Sequence, residues 1–288
     1  MGINGAILGD IAGSRFEFLS INDIRKNKDY QLFTDENYFT DDSVLSIACM
    51  EAVLKNPYKI KTYNSCYKKY GRAFPHAGYG GRFYKWLNSP FNYTLDSFGN
   101  GAAMRCSFIG EYANDIEECI EIAETSVGST HTHPEGIKGA RTLAVCVYMA
   151  KNGKSKEEIL EYASSEYDDS QYEYACSIPI SEYHDTIRYC VDCQRSVPVA
   201  IRCFYETNSF EECMYLINSM PIDTDTVGAI AGAICDSYYG RCTNNDDVLI
   251  KKYLTGEGNI HKCDAADLYS KYTALINKHN KIKRKNKL

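Results

Sequence analysis

The sequence predicts an all-α protein that folds as one compact domain. Apolar residues recur with helical spacing in several windows, and residues that favour helix starts and helix ends stand at the edges of these windows. Few windows alternate apolar and polar residues for long, as the strands of a half-exposed sheet would. We therefore expect a bundle of helices.

Five windows carry the helical pattern. In chain order they contain Ile3, Ile7 and Leu8; Val44, Leu45, Ala48, Ala52 and Val53; Ile116, Ile120 and Ala123; Ile137, Ala140, Leu143, Ala144 and Val147; and Val227, Ile230, Ala231 and Ile234. Short polar side chains, which bind the N–H groups exposed at a helix start, stand at four positions. These are Thr40 with Asp41, Asp115, Ser155 and Asp223. Glycine, which commonly ends helices, follows two windows at Gly153 and Gly240.

The domain limits follow from what the chain lacks. No repeat, low-complexity stretch or flexible linker divides it, so residues 1–278 are expected to form one domain. Residues 279–288 are strongly basic and are expected to be a disordered tail. The best candidate for a strand, residues 197–205, contains Pro198 and is equally compatible with a helix that has this proline in its first turn.

Composition excludes several classes of protein. The chain has 288 residues, 44% hydrophobic and 24% charged, which is typical of a soluble globular protein. No apolar run approaches the roughly 20 residues that span a bilayer, and a net charge of −6 argues against a general nucleic-acid binder. The N-terminus lacks the basic segment of a secretory signal. With 13 scattered cysteines, we expect reduced thiols in the cytoplasm, and we expect Cys190 and Cys193 to be structural despite their CxxC spacing.

Two distant segments have the same chemical character. Residues 40–43, Thr-Asp-Asp-Ser, and residues 223–226, Asp-Thr-Asp-Thr, each open an apolar helical window. Helix capping explains one such side chain per helix, whereas each segment supplies two carboxylates and hydroxyl groups. Clustered carboxylates repel one another, and a hard divalent cation such as Mg²⁺ or Mn²⁺ relieves that repulsion. Capping alone and a two-metal site both remain open at this point; the second requires the two helix starts to face each other.

Further candidates lie in loops. Glu17, between two phenylalanines, is either an exposed loop residue or a poised carboxylate. The glycine-rich segments 77–81 and 97–101 are either turns or loops that offer backbone N–H groups to an anionic ligand. His131 and His133 precede a helix, where packing and ligand contact are equally plausible. His184 and Asp185 lack the companions of a metal phosphohydrolase site, and we expect them to have no catalytic role.

Five short motifs follow one another along the chain: Gly5-Ala6-Ile7-Leu8-Gly9-Asp10, Phe39-Thr40-Asp41-Asp42-Ser43, Gly99-Asn100-Gly101-Ala102-Ala103-Met104-Arg105, Thr130-His131 and Asp223-Thr224-Asp225-Thr226. Together, and in this order, they resemble the motifs of the ADP-ribosylglycohydrolase family. The resemblance implies a compact orthogonal helical bundle, two Mg²⁺ or Mn²⁺ ions, and cleavage of the bond between ADP-ribose and its carrier. The sequence departs from the family at Pro221-Ile222, where the family usually has Gly-Gly, and at Phe98, where the serine-directed branch of the family has tyrosine.

The resemblance also assigns roles to residues. The implied metal ligands are Thr40, Asp41, Asp42, Asp223, Asp225 and Thr226. The implied substrate-binding residues are Gly78, Tyr79, Gly80, Ser97, Phe98, Gly99, Asn100, Gly101, Met104 and His131. The candidate general bases are Glu17, Asp41 and Asp42. We expect a monomer that acts on an ADP-ribosylated protein, small molecule or nucleic acid. Another two-metal nucleotide or phosphoester hydrolase, or an ADP-ribose-binding protein without turnover, are the alternatives.

Overall fold

The computed structural model describes residues 1–20, 22–23, 30–91, 93–168, 170–255 and 265–286. Within these ranges the protein is helical and has no strand; Gly99 and Asp192 form an isolated bridge. The helices are α1 (Gly2–Gly13), α2 (Asp41–Lys55), α3 (Ile60–Ala73), α4 (Gly81–Asn88), α5 (Ser107–Tyr112), α6 (Ile116–Val127), α7 (Pro134–Lys151), α8 (Lys156–Glu166), α9 (Ile180–Tyr183), α10 (Cys193–Glu206), α11 (Phe210–Asn218), α12 (Thr224–Tyr239), α13 (Asp246–Leu254) and α14 (Ala265–Asn286). The predicted all-α fold is confirmed.

The expected capping residues lie where the sequence places them. Thr40, Asp115 and Ser155 each accept a hydrogen bond from a backbone N–H in the first turn of α2, α6 and α8. Asp223 precedes α12, but its side chain makes no capping bond. Gly240 ends α12 in the left-handed conformation, with φ of 81°, which glycine adopts without steric cost.

The centre of the bundle is the packing of α1 against α12. Gly5 and Gly9 in α1 face Gly232 and Gly228 in α12, so the two backbones approach without intervening side chains. A Cβ atom built on Gly228 would lie 2.6 Å from the carbonyl oxygen of Gly9. At the end of this seam Thr224 donates its hydroxyl hydrogen to the carbonyl oxygen of Gly13, at 2.9 Å. The seam therefore fixes the end of α1 beside the start of α12.

Two sequence-based expectations are wrong. Residues 279–286 continue α14 instead of forming a disordered tail, and His279 within them is buried against Phe108; residues 287–288 lie outside the described residues. Segment 197–205 is helical, but α10 begins at Cys193, so Pro198 lies inside the helix and not in its first turn.

The twelve cysteines of the described part, including Cys190 and Cys193, are free and buried. Among the helices of the described ranges, none combines the length and the apolar character that crossing a membrane requires.

Candidate metal and substrate site

The start of α2 is organised by a buried carboxylate at the end of α1. Asp10 accepts hydrogen bonds from the backbone N–H of Thr40 at 2.9 Å and from its hydroxyl at 2.8 Å. It also accepts from the backbone N–H of Ser43 at 3.1 Å and from the Ser43 hydroxyl. Both oxygens of Asp10 are thus engaged, and they hold the first turn of α2 in place.

The starts of α2 and α12 face each other. The hydroxyl of Thr226 donates to Asp42 Oδ2 at 3.2 Å, although 184 residues separate them. Carboxylate oxygens of Asp10, Asp42 and Asp225 lie within 4.8 Å of one another. The two helix starts therefore meet, as a two-metal site requires.

A second group of carboxylates shares Asp225 with the first. Oxygens of Glu17, Asp223 and Asp225 lie within 4.8 Å of one another. Glu17 follows α1 and is half-buried, and its Oε1 accepts a hydrogen bond from the Tyr189 hydroxyl at 2.9 Å. Asp223 accepts from the side-chain amide of Asn100 at 2.7 Å. Asp41 lines the same cleft, and a Cβ on Gly78 would stand 3.4 Å from its Oδ1.

The electrostatics of the cluster favour a bound cation. Within the described ranges no lysine or arginine forms an ion pair with any of these carboxylates. Burial, and then the charge of Asp225, raises the pKa of Asp10 and that of Glu17 to about 7. The same causes raise the pKa of Asp41, Asp42 and Asp223 well above the usual range. Asp42 Oδ1 is buried and has no hydrogen-bond partner in the described part of the chain. This is the environment that a divalent cation stabilises.

A cleft of about 630 Å³ opens above the carboxylates. It brings together most of the residues that the sequence assigned to the site: Glu17, Thr40, Asp41, Asp42, Gly78, Gly80, Ser97, Gly99, Asn100, Gly101, Met104, His131, Asp223, Asp225 and Thr226. Tyr79 and Phe98 are not among its lining residues. The Tyr79 ring packs beside Phe83, and Phe98 is exposed at an adjoining depression with its ring against His133.

Three residues of the site were missed by the sequence reasoning. Asp10 and Arg105 belong to the quoted motifs, yet neither received a role; an acid in an otherwise apolar, glycine-rich helix was the available signal for Asp10. Tyr189 had no signal, because its contact with Glu17 spans 172 residues. His184 forms hydrogen bonds with Asp185 and Ser219, and neither His184 nor Asp185 is among the residues that line the cleft.

Comparison with known proteins decides the family. The sequence profile described as ADP-ribosylglycohydrolase matches residues 2–242. The chain belongs to the ADP-ribosylglycohydrolase family. It is therefore an enzyme of this family, and the resemblance drawn from the motifs is confirmed.

Named relatives and a solved structure agree with this assignment. The chain is 24% identical to ADP-ribosylhydrolase ARH3 of Homo sapiens, over 82% of this chain and 84% of that protein. It is 24% identical to ADP-ribosylarginine hydrolase Tri1 of Pseudomonas putida, over 82% of this chain and 69% of the relative. A solved structure titled ADP-ribosylglycohydrolase-related protein complex shares the fold, with a TM-score of 0.60, 19% identity, and coverage of 94% of this chain and 98% of the other.

Proposed function

We propose that this enzyme is a divalent-metal-dependent hydrolase that cuts the glycosidic bond between ADP-ribose and its acceptor. The observation that carries the proposal is the convergence of carboxylates from two helix starts and from Glu17 at the floor of one cleft, where no lysine or arginine of the described residues forms an ion pair with them. The volume of the cleft, about 630 Å³, is within the range of about 300–1,000 Å³ that is usual for ligand sites.

The donor set fits two hard cations. All candidate ligands are oxygens, from Thr40, Asp41, Asp42, Asp223, Asp225 and Thr226, with Glu17 adjacent. Oxygen-only sets suit Mg²⁺ or Mn²⁺ and lack the thiolate and imidazole groups that favour Zn²⁺. Asp225 belongs to both carboxylate groups and would be available as a ligand to a cation in either of them. When bound, such ions orient substrate hydroxyls and lower the pKa of water. Asp10, whose oxygens are already occupied, would position ligands and not act as one.

The residues of the chain would supply the remaining chemistry. Glycoside cleavage passes through a transition state that resembles an oxocarbenium ion, in which the acceptor leaves as water attacks. A general base takes a proton from that water, and the acceptor atom that leaves takes up a proton. Glu17 is the best-placed candidate, because it has one oxygen held by Tyr189, lies in a loop, and has a pKa of about 7, raised by burial and the nearby Asp225. Asp41 and Asp42 are the alternatives. The glycine segments would admit the pyrophosphate to their backbone N–H groups.

The group that carries the ADP-ribose is proposed from the names of the relatives and from the open cleft. One relative is named for ADP-ribosylarginine, which makes an ADP-ribosylated protein a reasonable substrate class. ADP-ribosylated small molecules and nucleic acids also belong in the test set. We further propose a monomer, which size-exclusion chromatography with light scattering would test.

One experiment tests the activity. The enzyme is incubated with Mg²⁺ or Mn²⁺ and with defined arginine-linked, serine-linked and nucleic-acid-linked ADP-ribose, and the products are separated by chromatography. We expect free ADP-ribose from at least one substrate and none after chelation. AMP or inorganic phosphate as the product would instead indicate a phosphoester hydrolase, and ADP-ribose binding without any product would indicate a binding protein.

A further inference from the structure

Arg105 is a buried cation without an anion. Its side chain is 0% exposed, and within the described residues no carboxylate forms an ion pair with it. The guanidinium lies over the rings of Tyr67 and Phe83, at 4.4 and 5.5 Å from their centroids. Among the residues that the structure describes, its Nε and Nη1 have no hydrogen-bond partner. Burying an uncompensated charge is costly, so its retention in the cleft wall requires an explanation.

The guanidinium determines the protonation of a neighbouring histidine. Nη2 of Arg105 lies 2.5 Å from the Thr130 hydroxyl oxygen and 3.0 Å from His131 Nδ1. A guanidinium only donates hydrogen bonds, so Nδ1 must be the acceptor. Burial and then the charge of Arg105 lower the pKa of His131 well below its usual value, so the ring is neutral. A neutral ring with an accepting Nδ1 carries its proton on Nε2.

The protonated nitrogen faces the ligand cleft. A Cβ atom built on Gly101 would stand 3.4 Å from His131 Nε2, and one built on Gly99 would stand 3.8 Å from it. Nε2 has no hydrogen-bond partner among the described residues. Arg82 also lines the cleft and lowers the pKa of the same histidine. This wall is therefore positively charged, whereas the floor carries the carboxylates, and an anionic part of a ligand is attracted to the wall.

We infer that Arg105 is a positioning residue that fixes His131 as an Nε2–H donor to a phosphate oxygen of ADP-ribose and supplies the buried positive charge that this phosphate balances. The inference rests on the proposed function, since it takes ADP-ribose as the ligand. A bound phosphate would accept a hydrogen bond from Nε2, and its negative charge would lie on the other side of the His131 ring from the Arg105 guanidinium, which contacts Nδ1.

The tautomer is tested on the unmodified protein. Imidazole ¹⁵N NMR distinguishes a protonated Nε2 from a protonated Nδ1. Near neutral pH, from about 6 to 8, we expect His131 to carry its proton on Nε2. The Thr130 hydroxyl also lies 3.0 Å from Nδ1, to which it donates while it accepts from Arg105. In Arg105→Met this hydroxyl can instead accept from Nδ1–H, so the Nδ1–H form should become populated. A wild-type His131 that carries its proton on Nδ1 would overturn the inference.

Ligand binding is tested by calorimetry with ADP-ribose and, separately, with Mn²⁺. Arg105→Met should weaken ADP-ribose binding by about ten- to a hundredfold, the range for losing a charge-assisted hydrogen bond, and should leave Mn²⁺ affinity unchanged. Arg202→Met removes a partly buried arginine that pairs with Glu206 and is not among the residues described as lining the cleft, and it serves as the matched control. Equal losses for both ligands in Arg105→Met, or no loss of ADP-ribose affinity, would contradict the positioning role.

A second pair of variants covers the case in which Arg105→Met does not fold. His131→Gln places an amide N–H near the position of Nε2, whereas His131→Asn places it near Nδ1, so the glutamine variant should bind ADP-ribose more tightly than the asparagine variant. The reverse order would overturn the inference. If the wild-type protein does not bind ADP-ribose at all, the proposed function fails, and the NMR result still decides separately whether Arg105 sets the tautomer.

Discussion

Adding one methyl group to the seam between α1 and α12 should destabilise the whole protein. We consider Gly9→Ala and Gly228→Ala, which lie opposite each other. A Cβ on Gly228 would stand 2.6 Å from the Gly9 carbonyl oxygen, and a Cβ on Gly9 would come closer still to that of Gly228. Real Cβ atoms essentially never come within 3.0 Å of another heavy atom, and here the opposing atoms belong to the backbone and cannot rotate away. The two helices would have to move apart.

Two opposing effects set the magnitude. Replacing glycine by alanine inside a helix favours folding by about 1 kcal/mol, whereas overpacking a core costs about 1–3 kcal/mol and occasionally more. The smaller clash of Gly228→Ala should leave a net loss of roughly 1 kcal/mol, and the larger clash of Gly9→Ala a net loss of about 2 kcal/mol or more. For a protein of this size 1 kcal/mol corresponds to roughly 2–4 °C in Tm.

Differential scanning calorimetry of the metal-free protein is the assay. Gly81→Ala is the matched control, because it is also helical and nothing lies within 4 Å of its added Cβ. We expect the Tm to fall in the order Gly81→Ala, Gly228→Ala, Gly9→Ala. If Gly9→Ala were as stable as Gly81→Ala, the backbone contact would not be the feature that holds α1 against α12.

Three further predictions concern the site and α14. Asp225→Asn should abolish most of the activity and also the rise in Tm on adding Mn²⁺, because ions that bind only the folded state stabilise it. If the variant kept both, Asp225 would not be a metal ligand. Glu17→Gln should lower kcat far more than it raises KM, since it removes basicity but keeps size; an unchanged kcat would leave Asp41 and Asp42 as candidate bases. His279, whose ring nitrogens have no hydrogen-bond partner within the described residues, has its pKa lowered to about 4 by burial and then by Lys283. The unfolded chain therefore binds more protons below pH 6.5, the reference value, so the stability of His279→Leu relative to wild type in urea titrations should rise as pH falls from 6.5 towards 4 and should not vary with pH near 8.

The helix starts could be predicted because their signals are local. Thr40 caps α2 by itself, so the carboxylates of Asp41 and Asp42 were in excess of what capping needs, and the same surplus marks the start of α12. That the two starts meet depends on the α1–α12 seam, which no short window of sequence reveals. The role of Asp10 could not be predicted from a short window either, because its hydrogen-bond partners at the start of α2 lie 30 and 33 residues away in the sequence.

The error about the C-terminal residues has a different cause. Charge dominated the interpretation of residues 279–288, although buried Leu268, Tyr272, Leu275 and His279 recur with helical spacing across the predicted boundary. The basic residues Lys283, Arg284 and Lys285 occupy the last turn of α14, where cations interact favourably with the helix dipole. The basic run is thus compatible with a helix end.

The pairing of α1 with α12 also has a consequence for synthesis on the ribosome. Nearly every residue of Gly2–Gly13 is buried in the folded protein, and the helix that covers them begins only at Thr224. At about 5–20 residues per second, the apolar first helix waits roughly 10–40 s for its partner. Nascent chains that stop before α12 would expose this surface and also lack Asp225. Incomplete chains should therefore be inactive and prone to capture by chaperones or to aggregation.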